Sequence, residues 1–319
     1  MQRQRFIKIL AATALVGLTT LASAQTKTTR ILVAFPPGGP VDFVARTLTE
    51  QLSKELGQQV MVENKAGANG AIAADTLLKA PADGQTLWLT SVGAVAINPS
   101  LYAALPYDPV RDLAPVSLVV NNVEMLVVNP NNPVHGPQEF IAAARQKSTT
   151  MASSGTGSVP HLAMELLADA TRADLIHVPY KGAAPAITDV MAGHVDGFFG
   201  DIPGLMGHIR SGKLKPVALA STRRHPLFPD VKTFQEIGVA GVDSDNWYAL
   251  FAHKNTSAAE LDRLNQAVRR TLASEAVRTK LIASGAEPSA SSSAELSALL
   301  KNDMAKWGRV IRDKKVKAD

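Results

Sequence analysis

The apolar positions of the chain repeat one unit. A short run of branched residues is followed by a Gly, Pro or polar break, and then by apolar residues at helical spacing. Arg30 to Phe35 is the first run and reads as a buried strand. Pro36-Pro37-Gly38-Gly39 interrupts it, and Pro40 suits the first turn of a helix. Val41, Val44, Ala45, Leu48, Leu52 and Leu56 keep helical spacing, with Gly57 as the stop. Gln59 to Glu63 predicts a second strand, Asn64 to Gly70 a loop, Ala71 to Leu78 a helix, and Thr86 to Thr90 a strand ending at Ser91. After the middle of the chain the rhythm returns. Strands are expected over 150–153, 175–178, 195–199 and 215–220, and helices from Pro160 to Ala168 and from Pro185 to Met191.

Such alternation implies right-handed crossovers and parallel sheets. Three further helices, Ala258 to Leu272, Glu275 to Ser284 and Ala294 to Asp313, need a sheet to cover, and the first half of the chain supplies one. The chain is therefore expected to leave domain one near Asn122, within the mostly apolar stretch Pro115 to Val128. It returns near Asn246, on an isolated strand reaching Ala252. The expected fold is α/β with two domains, each a mainly parallel sheet flanked by helices, and a ligand cleft between them. Domain one comprises residues 25–122 and 246–319, and domain two residues 123–245. Ligands of open α/β sheets sit outside the carboxyl ends of the strands, so the loops of both halves should face that cleft.

The first 24 residues change the setting. Arg3, Arg5 and Lys8 form a positive head, Ile7 to Leu21 is an apolar run, and Ala22-Ser23-Ala24 is a small-x-small cleavage site. That is the layout of a secretory signal peptide, cut after Ala24, and the run is short of a bilayer span. The mature protein is expected to be soluble and outside the cytoplasm, away from ATP and NAD. Without the tag's three cations the net charge falls from +5 to +2. No basic block with interleaved aromatics is present, so nucleic acid is not expected as a partner. Cysteine is absent, which excludes thiol chemistry and leaves stability to the core, for which 46 % hydrophobic residues suffice.

The loops carry the candidate chemistry. In Phe35-Pro36-Pro37-Gly38-Gly39-Pro40 two glycines let the backbone approach a ligand, and their amides lie at a helix start, where the dipole favours an anion. Asn64 to Gly70, with Gly67 and Ala68, repeats the device, as does Ser153-Ser154-Gly155-Thr156-Gly157-Ser158 with added hydroxyls. Each loop alone also reads as ordinary α/β punctuation. Neither the P-loop pattern nor G-x-G-x-x-G occurs, and no cofactor is expected. Tyr180, Lys181 and Gly182 follow a strand. Lys181 either meets an anion or is a solvated turn charge, and Tyr180 either closes over a ligand or packs at the sheet edge. Asp201 either accepts a bond from a ligand amine or hydroxyl, or caps the helix beginning near Pro203. Trp247 either lines the cleft or anchors the hinge.

Enzyme readings are thinner. Ser153 to Gly157 is not the G-x-S-x-G elbow. An exported hydrolase using Ser154 with His161 is the alternative. His161 and Glu165 share a helix face, but no H-E-x-x-H pattern makes them a metal site.

Several ordered segments resemble one family. They are Phe35 to Asp42 with Ala45-Arg46; Val62 to Gly70; Leu105 to Val116; Gly155 to Ser158 with His161-Leu162-Ala163; Val178 to Gly182; and Gly193-His194-Val195-Asp196. Together they are similar to the Bug family, the TctC-like solute-binding receptors of tripartite tricarboxylate transporters. The resemblance implies a type II-like periplasmic binding fold that closes on a small carboxylate, held largely by backbone amides, hydroxyls and water. It implies membrane transporter subunits, or a sensor protein, as partners, and a receptor rather than an enzyme. The family's loops map onto Phe35 to Asp42, Asn64 to Gly70, Ser153 to Ser158, Tyr180 to Gly182 and Asp201. Val159-Pro160, Met164, Ala249 and His253 depart from the family's usual residues, so the resemblance leaves the identity of the ligand open.

Overall fold

The computed structural model describes residues 27–317; the export tag and its cleavage point at Ala24 lie outside them. Two sheets organise the described residues. The first contains β1 (Thr28–Val33), β2 (Gln59–Asn64), β3 (Thr86–Ser91), β4 (Leu113–Asn122), β10 (Asn246–His253) and β11 (Glu287–Pro288), in the order β11-β4-β10-β3-β1-β2. The second contains β5 (Glu124–Val128), β6 (Thr149–Ser153), β7 (Leu175–Pro179), β8 (Gly197–Asp201) and β9 (Lys215–Leu219), in the order β7-β6-β8-β5-β9.

Apart from the two-residue β11, both sheets follow one scheme: second strand, first, third, the strand arriving from the other lobe, and fourth. The runs β2-β1-β3 and β7-β6-β8 are parallel. The arriving strand, β10 or β5, is antiparallel to both its neighbours. A strand that enters from the cleft side must run against strands that end there. The chain leaves the first lobe at Val123, between β4 and β5, and returns between β9 and β10.

The helices are α1 (Pro40–Leu56), α2 (Ala71–Leu78), α3 (Asn98–Leu101), α4 (Pro137–Gln146), α5 (Val159–Thr171), α6 (Ala183–Ala192), α7 (Ile202–Arg210), α8 (Ala258–Ala273), α9 (Glu275–Ser284) and α10 (Ser293–Lys314). Helix α1 shows how the local sequence sets an element. Gly39 takes an extended conformation at the N-cap and Pro40 occupies the first turn. Gly57 adopts a left-handed φ of 66°, which lets its amide bond the Lys54 carbonyl and close the helix. The stripe Val44, Leu48 and Leu52 is buried with Leu264 and Val268 of α8 and Leu281 of α9 on one face of the first sheet. The opposite face is covered by α2, the wide turn 93–97 and α10, through Ala74, Val95 and Trp307. Covered on both sides, β3 is buried along its whole length.

The elements outside the predicted rhythm include residues 93–97 and helix α4. Residues 93–97 are wholly buried, so they lack the polar face that betrays a helix. Helix α4 has an amphipathic face in Phe140, Ile141 and Ala144 and follows β5 across the loop 129–136, in a stretch for which no helix was expected. The lobes are also seated together by apolar contact, with Val159 and Leu162 of α5 joining the cluster around Trp88 and Trp307. Among the described residues, no helix is long and apolar enough to cross a membrane.

Candidate functional site

The first turns of three helices meet in one cleft between the lobes. Gly39, Pro40 and Val41 open α1, Pro160 opens α5, and Ala183 and Ala184 open α6; all six border a narrow inner space that is partly open to solvent. Phe35, Pro36, Ser91, Asn246 and Tyr248 complete the wall from the first lobe, and Ser154, Phe198, Gly200 and Asp201 from the second. The first amides of a helix have no intrahelical acceptor and carry the positive end of its dipole. Pro40 and Pro160 have no N–H, so the amides on this wall come from Gly39 and Val41 of α1 and Ala183 and Ala184 of α6, and no Lys or Arg borders the inner space.

An outer space of about 1110 Å³ continues past Phe35, Pro36 and Ser154. It is bordered by Gly67, Ala68, Tyr102, Gly155, Thr156, Tyr180, Lys181 and Gly182. The lobes touch along this cleft. A Cβ built on Gly182 would lie 3.0 Å from Cδ of Pro36, and one on Gly204 3.2 Å from Cδ of Pro40. Tyr180 donates its hydroxyl to Asp189 at 2.6 Å, so it is pinned within its own lobe.

A further set of predicted residues lies behind the wall and braces it. The buried Asp42 carboxylate accepts from the Gly38 amide at 3.0 Å, Arg46 Nε at 2.9 Å and Asn64 Nδ2 at 2.9 Å. Asn64 Nδ2 also donates to the Phe35 carbonyl at 3.0 Å, which ties the two glycine loops of the first lobe together. Burial pulls the Asp42 carboxyl up, but the bonds from Arg46, Gly38 and Asn64 outweigh it and hold the group below its ordinary value. The Gly38 amide is therefore spent on Asp42, and Gly39 is the member of the pair at the cleft. Pro37 is exposed and does not border either space.

The loop of the second lobe is braced likewise. Ser158 caps α5 by accepting from the His161 amide at 3.4 Å. The Gly157 amide donates to Nδ1 of His161 at 3.1 Å, and the Gly155 amide to Oγ of Ser153 at 3.1 Å. Ser153 Oγ meets Nε2 of His177 at 2.6 Å, and the two imidazoles stack with centroids 3.8 Å apart. The second nitrogen of His161 faces Glu165 at 3.6 Å. Both nitrogens of His161 are thus engaged away from Ser154, and the geometry does not assemble the pair that a hydrolase would use. Among the described residues, no group of three or more His, Asp or Glu is placed to hold a metal.

Trp247 is corrected by the period-two alternation of β10. Its neighbours Asn246 and Tyr248 face the cleft, while its indole points into the core of the first lobe and donates to Asp303 at 2.6 Å. Tyr248, Asn246, Pro160, Ala183 and Ala184 line the cleft and were not among the predicted site residues. For the two strand residues, alternation on either side of Trp247 was the available signal.

The floor of the inner space is a buried polar cluster. Asn246 Nδ2 donates to Glu124 at 3.1 Å and to Asp201 at 3.2 Å, and the Tyr248 hydroxyl donates to the same Asp201 oxygen. Glu124 and Tyr248 are fully buried. Burial first, then the Asp201 charge, pushes the Glu124 carboxyl well above the carboxylate range. Burial pushes Asp201 up to about 7 against the lowering effect of its bonds from Tyr248, Glu124 and Asn246. Although Asp201 precedes α7, its side chain makes no capping bond there.

With this geometry in place, comparison with known proteins is informative. Residues 44–316 match the family described as tripartite tricarboxylate transporter family receptor. The fold superposes on that of the R. palustris protein Rpa4515 with adipate, at a TM-score of 0.89 and 30 % identity, covering 93 % of this chain and 100 % of the other. The periplasmic binding protein BugD gives a TM-score of 0.87 at 30 % identity, with 92 % and 99 % covered. MatC from Rhodopseudomonas palustris with bound malate gives 0.84 at 31 %, with 90 % and 99 % covered. The chain belongs to the tripartite tricarboxylate transporter receptor family, among the Bug-type, TctC-like solute-binding receptors.

Proposed function

We propose that this receptor captures a small carboxylate in the cleft between its lobes and presents it to the membrane subunits of a tripartite tricarboxylate-type transporter. The observation that carries the reading is the meeting of the α1 and α6 N-termini, with their Gly39, Val41, Ala183 and Ala184 amides, around a hollow bordered by no Lys or Arg. Amides at helix starts stabilise a carboxylate by charge-assisted bonds, and each bond counts for more in a dry cleft than in water. Adipate and malate in two solved relatives support a carboxylate as ligand class.

In this reading Gly39, Ser91 and Ser154 sit at the inner wall, and Gly67, Ala68, Gly155, Thr156, Tyr180, Lys181 and Gly182 at the outer. Gly38, Asp42, Asn64, Ser153, Gly157, Ser158 and His161 hold the loops in shape. Lobe one spans residues 25–122 and 246–319, and lobe two 123–245. Export through cleavage after Ala24 places the receptor in the periplasm, in keeping with the periplasmic character of BugD. A ligand that touches both lobes selects the closed form, and binding proceeds without turnover.

The test combines calorimetry and thermal shift with succinate, malate, adipate and citrate. Ligand at one hundred times its Kd should stabilise the fold by about 2.7 kcal/mol. Gly39→Val is the informative variant. A Cβ at Gly39 meets only the Pro36 carbonyl, at 3.7 Å, so the fold admits it, yet the branched side chain enters the hollow. The expected result is loss of at least about tenfold in affinity, or about 1.4 kcal/mol. Binding at wild-type strength would remove the first loop from the site.

A further inference from the structure

At the point where the chain crosses between lobes, two acids are placed directly opposite each other. Glu124 on β5 and Asp201 on β8 are cross-strand partners in the antiparallel ladder. Like charges in that position repel, and both groups are buried. Among the described residues, neither has a salt-bridge partner. Arg223 is bonded to Glu287 at 2.7 Å, and Lys306 reaches the Asp243 carbonyl at 3.3 Å. The other charge acting on Glu124 is Asp245, again an acid, and the first turn of α7 adds no charged residue.

The hydrogen-bond pattern resolves the conflict. One oxygen of each carboxyl takes its bonds from Asn246 and Tyr248 of β10, in the other lobe. The remaining two, Oε2 of Glu124 and Oδ1 of Asp201, are buried without a donor from any third group. One proton held between these two oxygens makes one a donor and the other an acceptor, and leaves a single negative charge on the cluster. The same cluster joins β5 and β8 of the second lobe to β10 of the first, and Asp201 borders the hollow.

We propose that Glu124 is a positioning residue for ligand capture: it holds Asp201 and β10 in the closed arrangement through one proton shared between the two carboxyl groups, so that binding of an anionic ligand is coupled to retention of that proton. The proposal rests on the carboxylate reading above. Loss of the proton would place a second buried charge beside an anionic ligand and set the two carboxylates against each other across the ladder. Linkage is reciprocal, so ligand must also strengthen the hold on the proton.

The experiment measures malate and adipate affinity by calorimetry from pH 7 to 9, in wild type and Glu124→Gln. The Gln amide can donate to Asp201 and accept from Asn246 without titrating. Wild-type affinity should fall by at least about tenfold over this range, since one coupled proton gives up to tenfold per pH unit. The variant should change by less than about twofold. Calorimetry at pH 8 in two buffers of different ionisation enthalpy should report proton uptake on binding by wild type and none by Glu124→Gln. Parallel pH profiles, or no proton uptake by wild type, would overturn the proposal while leaving the receptor reading intact. Failure of the folded wild type to bind any carboxylate at any pH would overturn the receptor reading, and this proposal with it.

The unliganded protein supplies an independent readout. The pair keeps its shared proton in the folded chain at pH values where the unfolded chain has released both. Wild-type stability should therefore fall relative to Glu124→Gln as pH rises from about 4 through the folded values of the pair. Equal stability profiles would also overturn the shared proton.

Discussion

Gly204→Ala separates closure of the lobes from the stability of the lobe that carries the change. Gly204 lies in the first turn of α7, on the second lobe, with a φ outside the left-handed region. Ala is favoured over Gly within a helix by about 0.5–1 kcal/mol, so the substitution should leave the unliganded protein as stable as wild type or more so. Across the cleft the added methyl would lie 3.2, 3.3 and 3.4 Å from Cδ, Cγ and Cβ of Pro40. Each distance is inside the usual contact separation of about 3.5–4.0 Å. The Pro40 ring is fixed to the start of α1 and cannot rotate away, so relief requires the lobes to part by a few tenths of an ångström. Because ligand selects the closed form, the strain appears as lost affinity. A cost of about 1 kcal/mol corresponds to roughly a fivefold rise in Kd. Calorimetry with malate or adipate, paired with thermal unfolding without ligand, reads both quantities. Affinity unchanged within twofold would refute the idea that this contact belongs to the ligand-bound state; a lowered unliganded Tm would refute the helix-propensity half of the reasoning.

Asp42→Ala should cost about 2–4 kcal/mol, because it strands the Arg46, Gly38 and Asn64 donors around a buried position. The folded Asp42 carboxyl is held below the ordinary value of an aspartate. Its contribution is therefore fully present above that value and lost as pH falls through the folded one, so unfolding of the two proteins should converge in acid; a pH-independent difference would refute the assignment. Trp247→Phe should remove the donor to Asp303 and cost about 1–3 kcal/mol, with carboxylate affinity unchanged. A loss of affinity without a loss of stability would return Trp247 to the cleft.

Most elements were legible in the sequence because their signals are local. Pro40, the stripe from Val41 to Leu56 and Gly57 encode α1 without reference to any partner, and the structure reproduces that helix from Pro40 to Leu56. Helix α9 occupies the predicted span, Glu275–Ser284. The positions of the glycine loops were equally readable, since punctuation between strand and helix is a property of a few consecutive residues. Residues 93–97 were not readable, because burial on every side removes periodicity.

What tertiary structure alone decided is which atoms of those loops remain available. Gly38 and Gly39 are neighbours of the same type, yet the Gly38 amide is turned to Asp42 while Gly39 borders the hollow. Ser153 and Ser154 divide in the same way, one toward His177 and the other toward the cleft. The face presented by Trp247 depended on the register of β10 between β3 and β4. The cluster joins residues far apart in sequence, Glu124 to Asn246 across 122 positions and Asp201 to Tyr248 across 47. A sequence specifies local conformation by short-range sterics and spacing; the proton between two acids exists only once the fold has brought both out of water together.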